Sequence, residues 1–146
     1  MSSHQEQSKL TLVLYPDLFT VHRLPRSTVV PADVLQSPWY TISKTTDELS
    51  VILPAAYTHG PPLTDATKVE PGWRCLKIEA VLDLSLVGIL TTVADPLRDA
   101  GVPIFVVSTY DTDYVLIKEA HVEEARRVIV EQAGHQVIDG PSVFVI

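Results

Sequence analysis

Asp111 and Asp113 stand two residues apart in the stretch Ser108-Thr109-Tyr110-Asp111-Thr112-Asp113-Tyr114. On a strand that spacing places two carboxylates on one side, where their repulsion raises one pKa and general acid–base work becomes available. The competing reading is a solvated hairpin turn whose Asp and Thr side chains bond the local backbone. Other reactive residue types are sparse. His4, His22, His59, His121 and His135 are scattered, with no two at helical or hairpin ligand spacing, so no metal site is expected. Ser85 and Ser108 lack the Gly-x-Ser-x-Gly setting of a hydrolase nucleophile, and there is no glycine-rich phosphate loop. A lone cysteine, Cys75, excludes an intrachain disulfide and a multi-cysteine zinc site. In an apolar strand it reads as a buried, inert thiol. No cofactor and no catalytic residue are assigned.

The elements around that stretch are the best defined in the chain. Leu86, Leu90, Val93 and Leu97 follow the four-, three- and four-residue steps of one helix face, with Asp83 or Ser85 as the cap. Ala100-Gly101 ends the helix, and Pro103 forbids its continuation. Ile104 to Val107 and Tyr114 to Lys118 then read as two strands flanking the turn Ser108 to Asp113. His121 to Ala133 forms an amphipathic helix with Val122, Ala125, Ile129 and Ala133 inward, and His135 to Ile138 adds a strand. Upstream, Trp73 to Ala80 is a strand with Trp73, Cys75, Lys77 and Glu79 on one face and the mainly apolar Arg74, Leu76, Ile78 and Ala80 on the other, which is expected to be the covered one. This β-α-β-β-α-β order implies an α+β, ferredoxin-like fold: antiparallel sheet, helices on one face.

The first half repeats the pattern in reduced form. Leu10–Leu14 and Phe19–Leu24 read as strands, Pro31 to Leu35 as a short helix, and Trp39–Lys44 with Leu49–Leu53 as a hairpin. Ala55 to Pro71 is loop-like, a connector or lid. The expected organisation is a disordered arm over 1–9, a degenerate half with its connector over 10–71, a complete unit over 72–138 and a hydrophobic tail over 139–146. Val143 to Ile146 is too apolar to be left in water, so it docks on its own subunit or on a second one.

Apolar residues make up 46% of the 146, enough for a filled core, and Asp plus Glu outnumber Lys plus Arg by 18 to 11 for a net charge of −7. An acidic chain without a basic run disfavours nucleic acid. The polar N-terminus and the lack of a long apolar run argue against a membrane partner, and the chain reads as a soluble cytoplasmic protein.

Two blocks carry a resemblance. Asp83-Leu84-Ser85-Leu86-Val87-Gly88-Ile89-Leu90 and Ser108 to Tyr114, with Pro96-Leu97 and Ala100-Gly101-Val102 between them, resemble the small tandem ACT-domain proteins related to the CASTOR arginine sensors. The likeness is dense from about Trp73 to Val137 and weaker before it. It implies tandem ACT units that bind a free amino acid where two units meet. The implied ligand positions are Val87, Gly88 and Ile89 at the strand-to-helix turn and Thr109, Tyr110, Thr112 and Asp113 in the loop. Gly88 then lets backbone N–H groups approach a ligand carboxylate at a helix start, and Asp113 pairs with an ammonium or guanidinium. Gly88 acting only as a close-packing residue is the competing reading. The arginine sensors hold four ACT units in one chain, whereas this chain has room for two, so the resemblance implies a homodimer. It also implies a regulated protein partner. The alternatives are a scaffold domain that has lost its ligand and, further off, a small enzyme using the inter-unit cleft.

Overall fold

The computed structural model describes residues 9–57, 63, 68–79 and 88–145. Most of the expected N-terminal arm, the helix cap at Asp83 or Ser85, Leu86, Val87 and much of the 55–71 connector lie outside those residues. The described chain is α+β. Its strands are β1 (Thr11–Leu14), β2 (Phe19–Leu24), β3 (Thr41–Lys44), β4 (Leu49–Pro54), β5 (Lys68–Glu79), β6 (Ile104–Ser108), β7 (Asp113–Lys118) and β8 (Gln136–Asp139). Two helices, α1 (Thr91–Asp99) and α2 (Val122–Arg127), join a 3-10 helix at Ala32–Gln36. No helix among the described residues is long and apolar enough to cross a membrane.

All eight strands share one sheet, in the order β3-β4-β2-β5-β1-β8, with β7 also pairing β5 and β6 outside β7. The expected second-half order is present as β5-α1-β6-β7-α2-β8. One pairing departs from an all-antiparallel sheet. β1 lies between β5 and β8, antiparallel to the first and parallel to the second, with Gln136 N–H donating to Leu10 O at 2.9 Å and Gly140 N–H to Leu14 O at 2.9 Å. A strand from the start of the sequence is thereby sealed between two strands from its second half.

Cross-strand register shows which residues share a face. Phe19 lies opposite both Trp73 and Pro54, so the alternating residues Thr20, His22 and Leu24 point to the other side. On that other side Leu24, Leu49, Val51 and Leu53 pack with Val34 of the 3-10 helix, and Leu12, Leu76, Ile78, Val115 and Ile117 pack with Val93, Leu97, Val122 and Ile129 of the helical segments. The helices thus occupy one face, as expected.

The opposite face corrects the expectation for β5. Trp73 and Cys75 are as buried as Leu76 and Ile78, because they join Phe19, Ile52 and Leu116 in a second core covered by Trp39, Tyr114 and Val143. The strand also begins five residues before Trp73. Pro71-Gly72 reads as loop, yet Gly72 adopts φ +81° and lets the chain bend without breaking off, so Lys68, Val69 and Glu70 continue to pair with Arg23, His22 and Val21.

Helix ends follow the local chemistry. α1 stops in a Schellman arrangement: Gly101 at φ +76°, its N–H donating to Arg98 O, and Val102 N–H donating to Leu97 O. It starts at Thr91, later than the Leu86 stripe suggested, after a turn through Gly88, Ile89 and Leu90. α2 widens into a π-helical turn over Val128–Gln132, where Ala133 N–H reaches Val128 O before Gly134 ends the segment.

The C-terminal tail docks on its own chain. The Asp17 carboxylate in the β1–β2 bend accepts hydrogen bonds from Ser142 Oγ (2.7 Å) and Val143 N–H (2.8 Å), Val143 enters the second core, and Phe144 stacks on Tyr57. Gly140 permits this approach, since a Cβ there would collide with Val13 Cγ1. Gly140→Ala is expected to cost about 1–3 kcal/mol through overpacking. Urea unfolding would measure it, and an unchanged midpoint would mean that the tail is not held where it is seen.

Candidate functional site

The turn before α1 is built from backbone. Gly88 takes φ +85°, and the amides of Thr91, Thr92 and Val93 donate to the carbonyls of Gly88, Ile89 and Leu90. The Thr91 and Thr92 hydroxyls fold back onto the same Gly88 and Ile89 carbonyls at 2.6 and 2.7 Å. Hydroxyls and amides from Thr91 onward are therefore spent on the turn itself. Ile89 and Leu90 turn their side chains against the helix-face core.

The 108–113 loop behaves as a closed hairpin turn. Thr109 N–H and Thr109 Oγ1 both donate to Thr112 O, at 2.8 and 3.0 Å. Thr112 is buried, and its hydroxyl donates to Ile78 O at 2.6 Å, which ties the loop to the end of β5 that leads toward Gly88. Tyr110 is 87% exposed, and the Asp113 carboxylate makes no hydrogen bond or ion pair with the described residues. Asp111 is exposed. Of the expected ligand positions, Thr112 anchors the loop, Thr109 closes the turn, Ile89 packs on the helix-face core, the Gly88 carbonyl accepts from Thr91, and Tyr110 stands exposed. Val87 lies outside the described residues. Thr112→Val keeps the shape but removes the bond to Ile78, and the expected cost is about 1–2 kcal/mol with faster amide exchange across 109–113. Unchanged exchange in that loop would refute the anchoring role.

Other reactive groups are held inert. Cys75 is fully buried, and burial raises its pKa well above the usual thiol value. Burial, with Tyr114 beside it, pushes Tyr15 up to about 12, and burial raises Tyr114 as well. Among the described residues no group of three or more His, Cys, Asp or Glu is placed to hold a metal ion.

A larger concavity was not legible in the sequence. On the face away from the helices, a cleft of about 770 Å³ runs between the outer strands β3 and β6, with Phe105, Val107, Ser108 and Thr109 forming one wall. Its floor is the sheet itself.

Residues 68–131 match the family described as ACT domain. Among solved structures the chain is similar to a crystallised protein from Agobacterium tumefaciens, at 28% identity and a TM-score of 0.81 over 92% of this chain and 96% of that one. It is similar in fold to the regulatory subunit of aspartate kinase from Thermus thermophilus in its ligand-free form, at 15% identity and a TM-score of 0.59 over 84% and 95% of the two chains. It also resembles part of the allosteric aspartate kinase of Clostridium acetobutylicum, at 14% identity and a TM-score of 0.64 over 91% of this chain and 37% of that one. No curated protein matches the chain.

Proposed function

We propose that this chain is a small regulatory protein of tandem ACT units, akin to the CASTOR-related sensors, that binds a free amino acid and signals through subunit packing. The observation that carries this reading is the bond from Thr112 Oγ1 to Ile78 O, which sets the 109–113 loop beside the strand end leading to the Gly88 turn. Fixed loops of this kind present a ligand with preformed partners and save the cost of ordering them on binding. In this reading the backbone of Val87, Gly88 and Ile89 receives the ligand carboxylate, Asp113 pairs with its cationic group, Thr109 and exposed Tyr110 line the approach, and buried Thr112 holds the loop in place behind them. A homodimer completes the site from a second unit, and the change in packing is read by a regulated protein partner. The likeness to an aspartate kinase regulatory subunit supports the regulatory part of the reading.

The test is a thermal-shift screen of the purified protein against the free amino acids, with Asp113→Ala in parallel. A ligand at 100 times its Kd adds about 2.7 kcal/mol of stability. We expect one chemical class to give such a rise and the variant to lose it. A flat response across the set, with the dimer intact, would reject the reading in favour of a scaffold domain.

A further inference from the structure

The geometry points to a second ligand site, in the cleft between β3 and β6, for a small monocarboxylate with a compact apolar body. Four side chains form its polar floor. Lys68 lies directly opposite Arg23, Arg23 opposite Ser50, and Ser50 opposite Ser43, so the register aligns two cations and two hydroxyls in one row across β5, β2, β4 and β3. Two cations facing each other on neighbouring strands destabilise a sheet unless an anion lies against them.

Charge accounting sets the valence of that anion. Arg23 has Glu48 at 3.8 Å, and Glu70, the other acid in the cleft, is taken by Lys118 at 3.4 Å. The Lys68 ammonium makes no ion pair or hydrogen bond among the described residues, which leaves one uncompensated positive charge. A singly charged head matches it, whereas a dianion would face Glu48 and Glu70 with excess charge of its own. The Ser50 and Ser43 hydroxyls supply neutral donors to the remaining oxygen lone pairs.

The body of the ligand is set by the next row of the sheet. Two residues along, Val21 and Ile52 are cross-strand partners, and Phe105 and Val107 stand on the facing wall. Phe105 is 36% exposed in the free chain. Ile52 is already buried in the second core, so the hydrocarbon that an apolar group removes from water here belongs to the half-buried Val21 and Val107 and to Phe105. Of the 108–113 loop, Ser108 and Thr109 reach this cleft, so it borders the proposed amino-acid site at Thr109 and is otherwise built from other residues.

The experiment is a calorimetric and NMR titration of the full chain with phenylacetate, with neutral phenylacetamide and inorganic phosphate as the comparison probes. We expect saturable binding of phenylacetate, with amide shifts on β2, β4 and β6, and binding at least about tenfold weaker for the other two probes. Lys68→Gln and Arg23→Gln should each weaken phenylacetate by about tenfold or more, while Lys44→Gln, an equal change of charge outside the cleft, should not. Folding of each variant is checked by circular dichroism. Absence of phenylacetate binding, equal binding of the neutral amide or of phosphate, or equal losses in the Lys44 and Lys68 variants would each overturn the assignment.

Discussion

Phe19→Ala is expected to destabilise the chain by about 3–5 kcal/mol, the range for removing a fully buried aromatic ring. In a chain of this length that corresponds to a fall of roughly 10 °C in Tm. Phe19 has no exposed surface, meets the Trp39 ring edge-on at 4.9 Å between centroids, and shares its core with Ile52, Trp73, Cys75 and Leu116. Trp39 in turn meets Tyr114 edge-on at 5.6 Å, so the cavity would open beneath an aromatic chain that spans both parts of the sequence. The size of the effect is a test of the two-sided core. A sheet buried only against its helices would leave Phe19 on a solvent face, where such a change costs within about 0.5 kcal/mol. Chemical unfolding of the variant, with Phe19→Leu as the milder companion, separates these outcomes.

Most strands were legible because their signals are local. β2 matches the Phe19–Leu24 run residue for residue, and the β6–β7 hairpin and the Gly101 stop follow from apolar runs bounded by turn residues and from a glycine's access to positive φ. What escaped detection depends on partners distant in sequence. Nothing near Thr11 signals that it will pair with Gln136 in parallel, and nothing near Cys75 shows that Leu116 and Phe19 will cover its face. At Pro71-Gly72 the local signal was misleading, since the same residues that end strands can also bend one. The site follows the same rule. Gly88 and Asp113 stand out by type, but the Thr112 hydroxyl was spent on Ile78, 34 residues away, and the row from Lys68 to Ser43 exists only through register.

Acidification from pH 7.5 to 5 is expected to weaken the fold through two buried histidines. His135 Nδ1 accepts the Leu10 N–H at 3.1 Å, so its proton is on Nε2, which faces Thr92 Oγ1 at 3.0 Å. His22 Nδ1 faces Val51 O at 3.2 Å, and a carbonyl only accepts, so the proton sits on Nδ1 and Nε2 remains a buried lone pair without a partner. Both rings are neutral in this arrangement, and burial lowers both pKa values below the ordinary imidazole value. The unfolded chain, with imidazoles near about 6.5, then binds more protons than the folded one. Their contribution is complete above that value and is lost progressively as the pH falls toward the depressed folded values. Protonation leaves a buried N–H without an acceptor in each case, at about 1–3 kcal/mol per histidine. Glu124, whose carboxyl is held down by its hydrogen bond from Arg127, titrates only at lower pH and adds nothing in this window. Urea midpoints measured across that range should fall, and His22→Asn and His135→Asn should each make the fall shallower, since asparagine keeps a partner for Val51 O or Leu10 N–H without titrating. An equal slope in both variants would refute the mechanism. Because Thr92 links His135 to the Ile89 carbonyl, loosening this contact acts directly on the Gly88 turn. Any stabilisation by an amino acid bound there should therefore decline over the same pH range in the native chain, and less so in His135→Asn.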